Sequence, residues 1–208
     1  VFGGTFDPIH FGHLRPALEL FELLGLERVH MIPSAVPPHR PQPQASAEQR
    51  LAMLQRALEG EPALQSDERE LVRSGPSYMV DTLASLRREI DGRPLCLLLG
   101  VDAFLDLHRW ERWPQLLELA HIVVAHRPGW SLQREALPPA LRQGLAGHWL
   151  EAVDGLRRHL AGGVWLQEVT QLAISATDIR ARIAAGKSAN YLLPASVWQY
   201  IQQHNLYR

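Results

Sequence analysis

Cysteine is nearly absent from this sequence: Cys96 is the only one in 208 residues. That excludes a disulfide framework and makes a thiolate zinc cluster untenable. Cys96 lies in the apolar run Leu95-Cys96-Leu97-Leu98-Leu99 and reads as a small core hydrophobe rather than a nucleophile. No stretch approaches the roughly 20 apolar residues needed to span a bilayer, and no basic segment followed by an apolar one opens the chain. Both absences predict a cytoplasmic address and no membrane partner. Charge of one sign is lacking too. A formal net charge of -1 and a pI near 6.9 provide no broad field for nucleic acid or an acidic membrane surface. The two commonest phosphate fingerprints, G-x-x-x-x-G-K-[ST] and G-x-G-x-x-G, do not occur in the opening segment, and the ten histidines include no H-E-x-x-H spacing, so no protein metal site is expected. A ligand must therefore be held by local chemistry.

What is present is an ordinary globular composition, 46% hydrophobic, at a length that suits one domain over residues 1–208. The chain begins at Val1 without a methionine, so the first strand is expected to have lost residues at its start. The opening segment Val1-Phe2-Gly3-Gly4-Thr5-Phe6-Asp7-Pro8-Ile9-His10-Phe11-Gly12-His13 runs from an apolar strand through a glycine pair and a turn into a helix. Gly3 and Gly4 can take positive φ and admit a ligand close to the main chain, while Thr5 and Phe6 offer consecutive N–H groups. Asp7-Pro8 makes the turn. On a helix beginning near Ile9, His10 and His13 project from one side of the first turn, where the helix dipole favours an anion. Each part alone has a plainer explanation as a turn or a cap; their order after a strand points to a phosphate site.

Beyond this segment, Leu14, Leu18, Phe21, Leu24 and Leu26 repeat at helical spacing up to Gly25, and Val29–Pro33 reads as a second strand. Strand, helix, strand at this spacing predicts a βαβ unit of a parallel sheet, with ligands at the carboxyl ends of the strands. Residues 33 to 45 hold five prolines and present His39 and Arg40 on an extended loop. Ser46 and Gln49 form a capping box for a helix ending near Gly60. The charges of Asp67-Glu68-Arg69-Glu70 are expected to face solvent. Ser77 is expected to cap a helix running through Glu89 that carries Thr82.

Pro94–Asp102 is the clearest buried strand and ends in Gly100-Val101-Asp102, where the glycine admits a ligand and the acid can accept from a ribose hydroxyl, hold a metal's water, or cap a helix over Ala103–Leu107. Trp110-Glu111-Arg112-Trp113 places aromatics beside that strand end, as core anchors or as a surface for a flat ring. Strands are predicted over 121–126 and 164–169, and residues 130–163 read as variable helix and loop. The late stretch Ile174-Ser175-Ala176-Thr177-Asp178-Ile179-Arg180 sets hydroxyls and a guanidinium, expected in the opening turn, at a helix start. That describes either a second polyphosphate grip or ordinary capping. The alternation predicts an α/β fold, a Rossmann-like doubly wound parallel sheet with helices on both faces and a small helical portion over about 174–208.

The strand-end G-G-T-F-D-P-I-H-x-G-H and the late I-S-x-T-x-I-R resemble the H-x-G-H nucleotidylyltransferase superfamily. Val36-Pro37-Pro38-His39-Arg40, Pro76-Ser77-Tyr78, Gly100-Val101-Asp102, the Trp110 segment and Arg127-Pro128-Gly129 make the chain most similar to its bacterial nicotinate-mononucleotide adenylyltransferases. The resemblance implies transfer of AMP from ATP to nicotinate mononucleotide, giving deamido-NAD and pyrophosphate, with Mg2+ carried by ATP. It implies that His10 and His13 hold the phosphates and stabilise the transition state, with Gly3, Gly4, Thr5 and Phe6 lining the loop. Ser175, Thr177 and Arg180 would take the outer phosphates. Gly100 and Asp102 would contact adenosine. Trp110 would stack the nicotinate ring, with main-chain N–H groups near Thr82 and Glu111 reading its carboxylate, and His39 and Thr5 would border the mononucleotide. Ala176 stands where the family commonly has serine, which a main-chain role would survive. Residues 130–163 match no family pattern.

This chemistry suits the residues without the label. A phosphate monoester is already an anionic nucleophile, so no covalent intermediate is required, and positioning plus well-aimed donors lower the barrier. The rivals are an adenylyltransferase using phosphopantetheine or nicotinamide mononucleotide, and a non-catalytic nucleotide sensor. A nucleic-acid role is disfavoured by charge. The oligomeric state, a homo-oligomer included, stays open.

Overall fold

The computed structural model describes residues 1–36, 42–90 and 92–208. In chain order β1 (Phe2–Gly4) leads to α1 (Phe11–Leu24), β2 (Val29–Pro33), α2 (Ala47–Leu58), β3 (Leu64–Ser66) and the short α3 (Arg69–Val72). Next come α4 (Met79–Glu89), β4 (Cys96–Gly100), α5 (Val101–Leu105), α6 (Pro114–Leu119) and β5 (His121–His126). The chain ends with α7 (Pro139–Gly144), α8 (Gly155–Arg158), β6 (Val164–Glu168), α9 (Ala176–Ala184) and α10 (Ala195–Gln203). The fold is α/β and Rossmann-like, with two three-stranded sheets ordered β1-β2-β3 and β4-β5-β6.

The chain gathers into two compact units. The flanking unit holds Gly3–Pro76 and Thr170–Arg208, and the middle unit holds Val1–Phe2 and Ser77–Val169. In the middle unit β5 lies between two parallel partners, pairing Cys96 with His121 on one side and Ile122 with Val164 on the other. A strand covered on both faces is expected to be apolar, and residues 122–125 are apolar and buried; His121 at its start is buried too, with its ring bonded to the His159 carbonyl and the Gly163 N–H. Arg87 on α4 binds this unit together, donating to the carbonyls of Leu119, Arg93 and Leu160. In the flanking unit β2 and β3 run parallel, with Val29 opposite Leu64. The segment that follows β6 in sequence packs here: Ser196 donates to the Arg56 carbonyl at 3.0 Å, and the Arg56 guanidinium stacks 4.5 Å above the Tyr200 ring.

Local signals account for several boundaries. Gly25 ends α1 with φ 59°, and Ser46 with Gln49 forms both halves of the expected capping box. Other expectations are corrected. Helix α4 starts at Met79 with Tyr78, not Ser77, at its N-cap, and the Tyr78 side chain makes no capping hydrogen bond. The charges after β3 do not all face water. The Asp67 N–H bonds to the Met31 carbonyl and so extends the strand register. Its carboxylate thereby meets Arg69 at 2.7 Å and His30 at 3.0 Å, and Glu70 is buried as well. Although burial alone would raise it, hydrogen bonds from His30 and Arg69 hold the Asp67 carboxyl far below the usual carboxylate range.

Candidate active site

The opening loop takes its shape from contacts that sequence spacing does not reveal. Neither Gly3 nor Gly4 has positive φ; the left-handed residue is Phe6, with φ 51°. Gly4 is required for space, since a Cβ there would stand 2.6 Å from the Phe6 ring. The expectation of glycine flexibility is therefore corrected: the turn lies two residues later, and Phe6 holds it by burying its ring to 1% exposure. Thr5 is fixed from behind, its carbonyl accepting from Arg50 Nη1 at 2.8 Å. Arg50 projects from α2, is 1% exposed, and also donates to the Ala35 carbonyl at 3.4 Å.

Asp7 does more than make a turn. Its carboxylate accepts from the N–H groups of Gln44 (2.8 Å) and Ala45 (3.2 Å) and from the Tyr207 hydroxyl (2.7 Å). Its main-chain carbonyl accepts from Arg180 Nη1 at 2.7 Å. Thus Arg180, 173 positions away in sequence, is fastened to the loop that leads into the histidines.

His10 occupies the N-cap of α1 without a capping hydrogen bond, and His13 stacks on it with ring centroids 3.7 Å apart. The Phe6 ring meets His13 edge-on at 5.2 Å. Gly12 makes this stack feasible: a Cβ there would stand 2.9 Å from His10 Nδ1 and 3.0 Å from the Ile174 carbonyl oxygen. His10 is 4% exposed, its Nδ1 is buried without a hydrogen-bond partner, and burial pushes its pKa down to about 4. At neutral pH it is an uncharged imidazole able to offer one N–H. The helix start is less open than its dipole suggests, because the Phe11 N–H is used by the Leu192 carbonyl and the His13 N–H by the His10 carbonyl.

The second candidate segment begins at α9. Ser175 is its N-cap and accepts from the Asp178 N–H at 3.1 Å while donating to Asp178 Oδ2 at 2.8 Å, so its hydroxyl is employed in capping. Thr177 is exposed and accepts from Arg180 Nη2 at 3.4 Å. Arg180 lies in the second helical turn rather than the first, since α9 opens at Ala176. That extra rise lets its guanidinium reach Asp7, and its Nε is buried without a partner. Folding therefore brings His10, His13, Gly12, Ile174, Asp7 and Arg180 together within the flanking unit.

The remaining candidates belong to the middle unit. Gly100, not Asp102, is the N-cap of α5, with ordinary φ of -76° and open space where its Cβ would be; the helix opens at Val101, two residues earlier than expected, so Asp102 is exposed in its first turn instead of at its cap. Thr82 is buried on α4 and donates to the Tyr78 carbonyl at 3.3 Å. Of the two aromatics, Trp113 is the anchor: a Cβ on Gly144 would stand 2.3 Å from its ring. Trp110 stays half-buried and Glu111 exposed, beside Arg112, which takes φ 49° and pairs with Asp81 on α4 at 2.5 Å. His39 lies outside the described residues.

Sequence reasoning missed Arg50 and Tyr207 and gave Asp7 too small a part. Arg50 left a trace, because it precedes Met53 and Leu54 by three and four positions and so shares their buried helix face. Nothing near Tyr207 points to a partner 200 residues away.

The chain belongs to the cytidylyltransferase-like family, whose profile matches residues 1–182. It is 48% identical over 206 residues, 99% of this chain and 95% of the relative, to a protein of Aeromonas salmonicida (strain A449) named "Probable nicotinate-nucleotide adenylyltransferase". A relative of the same name in Hahella chejuensis is 50% identical over 208 residues, covering 99% of this chain and 93% of that one. Among solved structures, Plasmodium falciparum nicotinic acid mononucleotide adenylyltransferase complexed with APC superposes with a TM-score of 0.72 over 99% of this chain and 94% of its own; at 15% identity that likeness speaks to the fold.

Proposed function

We propose that this chain transfers AMP from ATP to nicotinate mononucleotide, forming deamido-NAD and pyrophosphate in NAD biosynthesis. Identity near 50% along almost the whole chain to relatives of that name supports the reading. The observation that carries it is the stacked His10–His13 pair in the same unit as Arg180, with Gly12 packed against Ile174 from the Arg180 stretch.

In this reading the mononucleotide phosphate attacks the α-phosphorus of ATP, and the bond to the pyrophosphate oxygen breaks. The attacking oxygen is already anionic, so no general base is needed; the task is to bring polyanions together and to receive charge on the leaving group. His10 and His13 donate N–H groups to the phosphates. An uncharged His10 supplies direction without neutralising the nucleophile. Arg180 supplies the positive charge for the outer phosphates, with Thr177 and the start of α9 beside it. Gly3, Gly4, Thr5 and Phe6 form the loop under the phosphates. Gly100 and Asp102 contact the adenosine. Trp110 stacks the nicotinate ring, main-chain N–H groups near Thr82 and Glu111 receive its carboxylate, and Thr5 and His39 border the mononucleotide. Magnesium enters as part of the ATP complex. Among the described residues no group of three His, Cys, Asp or Glu side chains could hold an ion.

The test is pyrophosphate release with ATP, magnesium and either nicotinate or nicotinamide mononucleotide. Turnover with nicotinate mononucleotide at the higher kcat/KM is expected. ATP binding without pyrophosphate release would favour a sensor and overturn the assignment.

A further inference from the structure

We infer that Tyr207 is a positioning residue for this transfer, acting through Asp7 to place Arg180 against the ATP phosphates; the inference rests on the reading proposed above. After α10 the chain takes left-handed backbone at Asn205 (φ 51°) and again at Tyr207 (φ 64°), neither of them glycine. Such backbone is unfavourable for a tyrosine and persists only where other contacts hold it. Here the turn buries the phenol to 8% exposure and points its hydroxyl at Asp7 Oδ1, 2.7 Å away.

Asp7 is the junction. Oδ1 is shared by Tyr207 and the Ala45 N–H, and Oδ2 takes the Gln44 N–H. The Arg180 guanidinium stays 4.0 Å from Oδ2 and bonds instead to the Asp7 main-chain carbonyl. With the carboxylate supplied by three neutral donors, Arg180 is not drawn into a bidentate pair with it. A single nitrogen, Nη1, tethers the guanidinium to the loop, while Nη2 reaches only Thr177 at 3.4 Å and Nε has no protein acceptor. Burial and the neighbouring carboxylate both raise the Tyr207 pKa, so the hydroxyl keeps its proton and remains a donor. Without that donor, Oδ1 would lose its shortest hydrogen bond, and Arg180 is the nearest cation able to replace it. The guanidinium would then move toward Asp7 and away from phosphate.

The test is a double-mutant cycle on the full chain with Tyr207→Phe, Arg180→Ala and the pair. Tyr207→Phe removes one oxygen and keeps the ring. Expected is a loss of about tenfold in kcat/KM for ATP, with KM for nicotinate mononucleotide within about twofold of the parent. In the Arg180→Ala background the same substitution should change kcat/KM for ATP by less than about twofold, because the group it positions is gone. ATP dissociation constants from calorimetry read the same cycle if Arg180→Ala turns over too slowly. Losses that multiply would mean a merely structural tyrosine and overturn the inference, as would a Tyr207→Phe enzyme equal to the parent. Absence of turnover in the parent would instead overturn the activity, with the calorimetric cycle still deciding on Tyr207.

Discussion

Acid should weaken this protein through His10, and the size of the effect follows from its burial. In the unfolded chain the imidazole titrates near 6.5; in the folded protein burial lowers it to about 4. The folded pKa is depressed, so below pH 6.5 the unfolded state binds the proton first, and stability falls as the pH falls from about 6.5 to about 4. Below that range both states are protonated and the loss is complete. A displacement of this size corresponds to about 3 kcal/mol in full, of which about 2 kcal/mol is already lost at pH 5. The figure applies in full because the ring is 4% exposed and solvent screens it little. The assay is urea unfolding followed by circular dichroism at pH 7.5, 6 and 5, for the parent and for His10→Gln. The variant removes the titrating group, while other acid-sensitive residues, such as His121, whose pKa is also lowered by burial, stay in both proteins. The parent should lose about 2 kcal/mol more than the variant between pH 7.5 and 5. Equal losses would refute the claim that His10 is held neutral, and so would an imidazole resonance of His10 titrating near its ordinary value. Saturating ATP should shift that resonance upward, since an anion beside the ring favours the protonated form.

Three further outcomes follow from the geometry. His13→Ala should lower kcat by roughly 100-fold or more while the ATP dissociation constant changes by only about threefold, because a donor aimed at developing charge acts chiefly in the transition state; steady-state kinetics with calorimetry checks the split, and near-normal turnover would remove His13 from its role. Gly12→Ala should cost about 1–3 kcal/mol and most of the activity, since its methyl would meet His10 Nδ1 and the Ile174 carbonyl at about 3 Å; a fully active, fully stable variant would show that the histidine stack is not confined as described. Arg87→Met should destabilise by about 1–3 kcal/mol, chiefly through the Leu119 carbonyl, which loses both of its guanidinium hydrogen bonds while the Leu160 carbonyl keeps the Leu95 N–H, with KM values unchanged; denaturation that matches the parent would contradict that account.

How much of this was legible in the sequence depends on the range of the interaction involved. Strands β4 and β5 announce themselves because burial on both faces removes polar residues from the run, and the α2 cap is written in two residues three apart. The histidine pair is equally local: one helical turn fixes its spacing. The glycines of the same loop show where local reasoning fails. Spacing assigns them positive φ, whereas Gly4 is small because the Phe6 ring occupies its face, and Phe6 itself makes the left-handed turn. The charges after β3 were misplaced for a related reason, since Asp67 continues a strand whose neighbour supplies His30. Asp7 is the extreme case: its partners lie 37, 38, 173 and 200 positions away, and no periodicity links such residues. A polyanion site needs two things of different range, donors on one short segment and a fixed distance between that segment and a second cation. The donors can be written within a motif, but the distance can only be set by whatever joins the two segments in space. In this protein that joint is the buried Asp7 carboxylate and its own carbonyl, so it should tolerate substitution less well than the solvent-facing hydroxyls of Ser175 and Thr177, although the sequence motif presents those more openly.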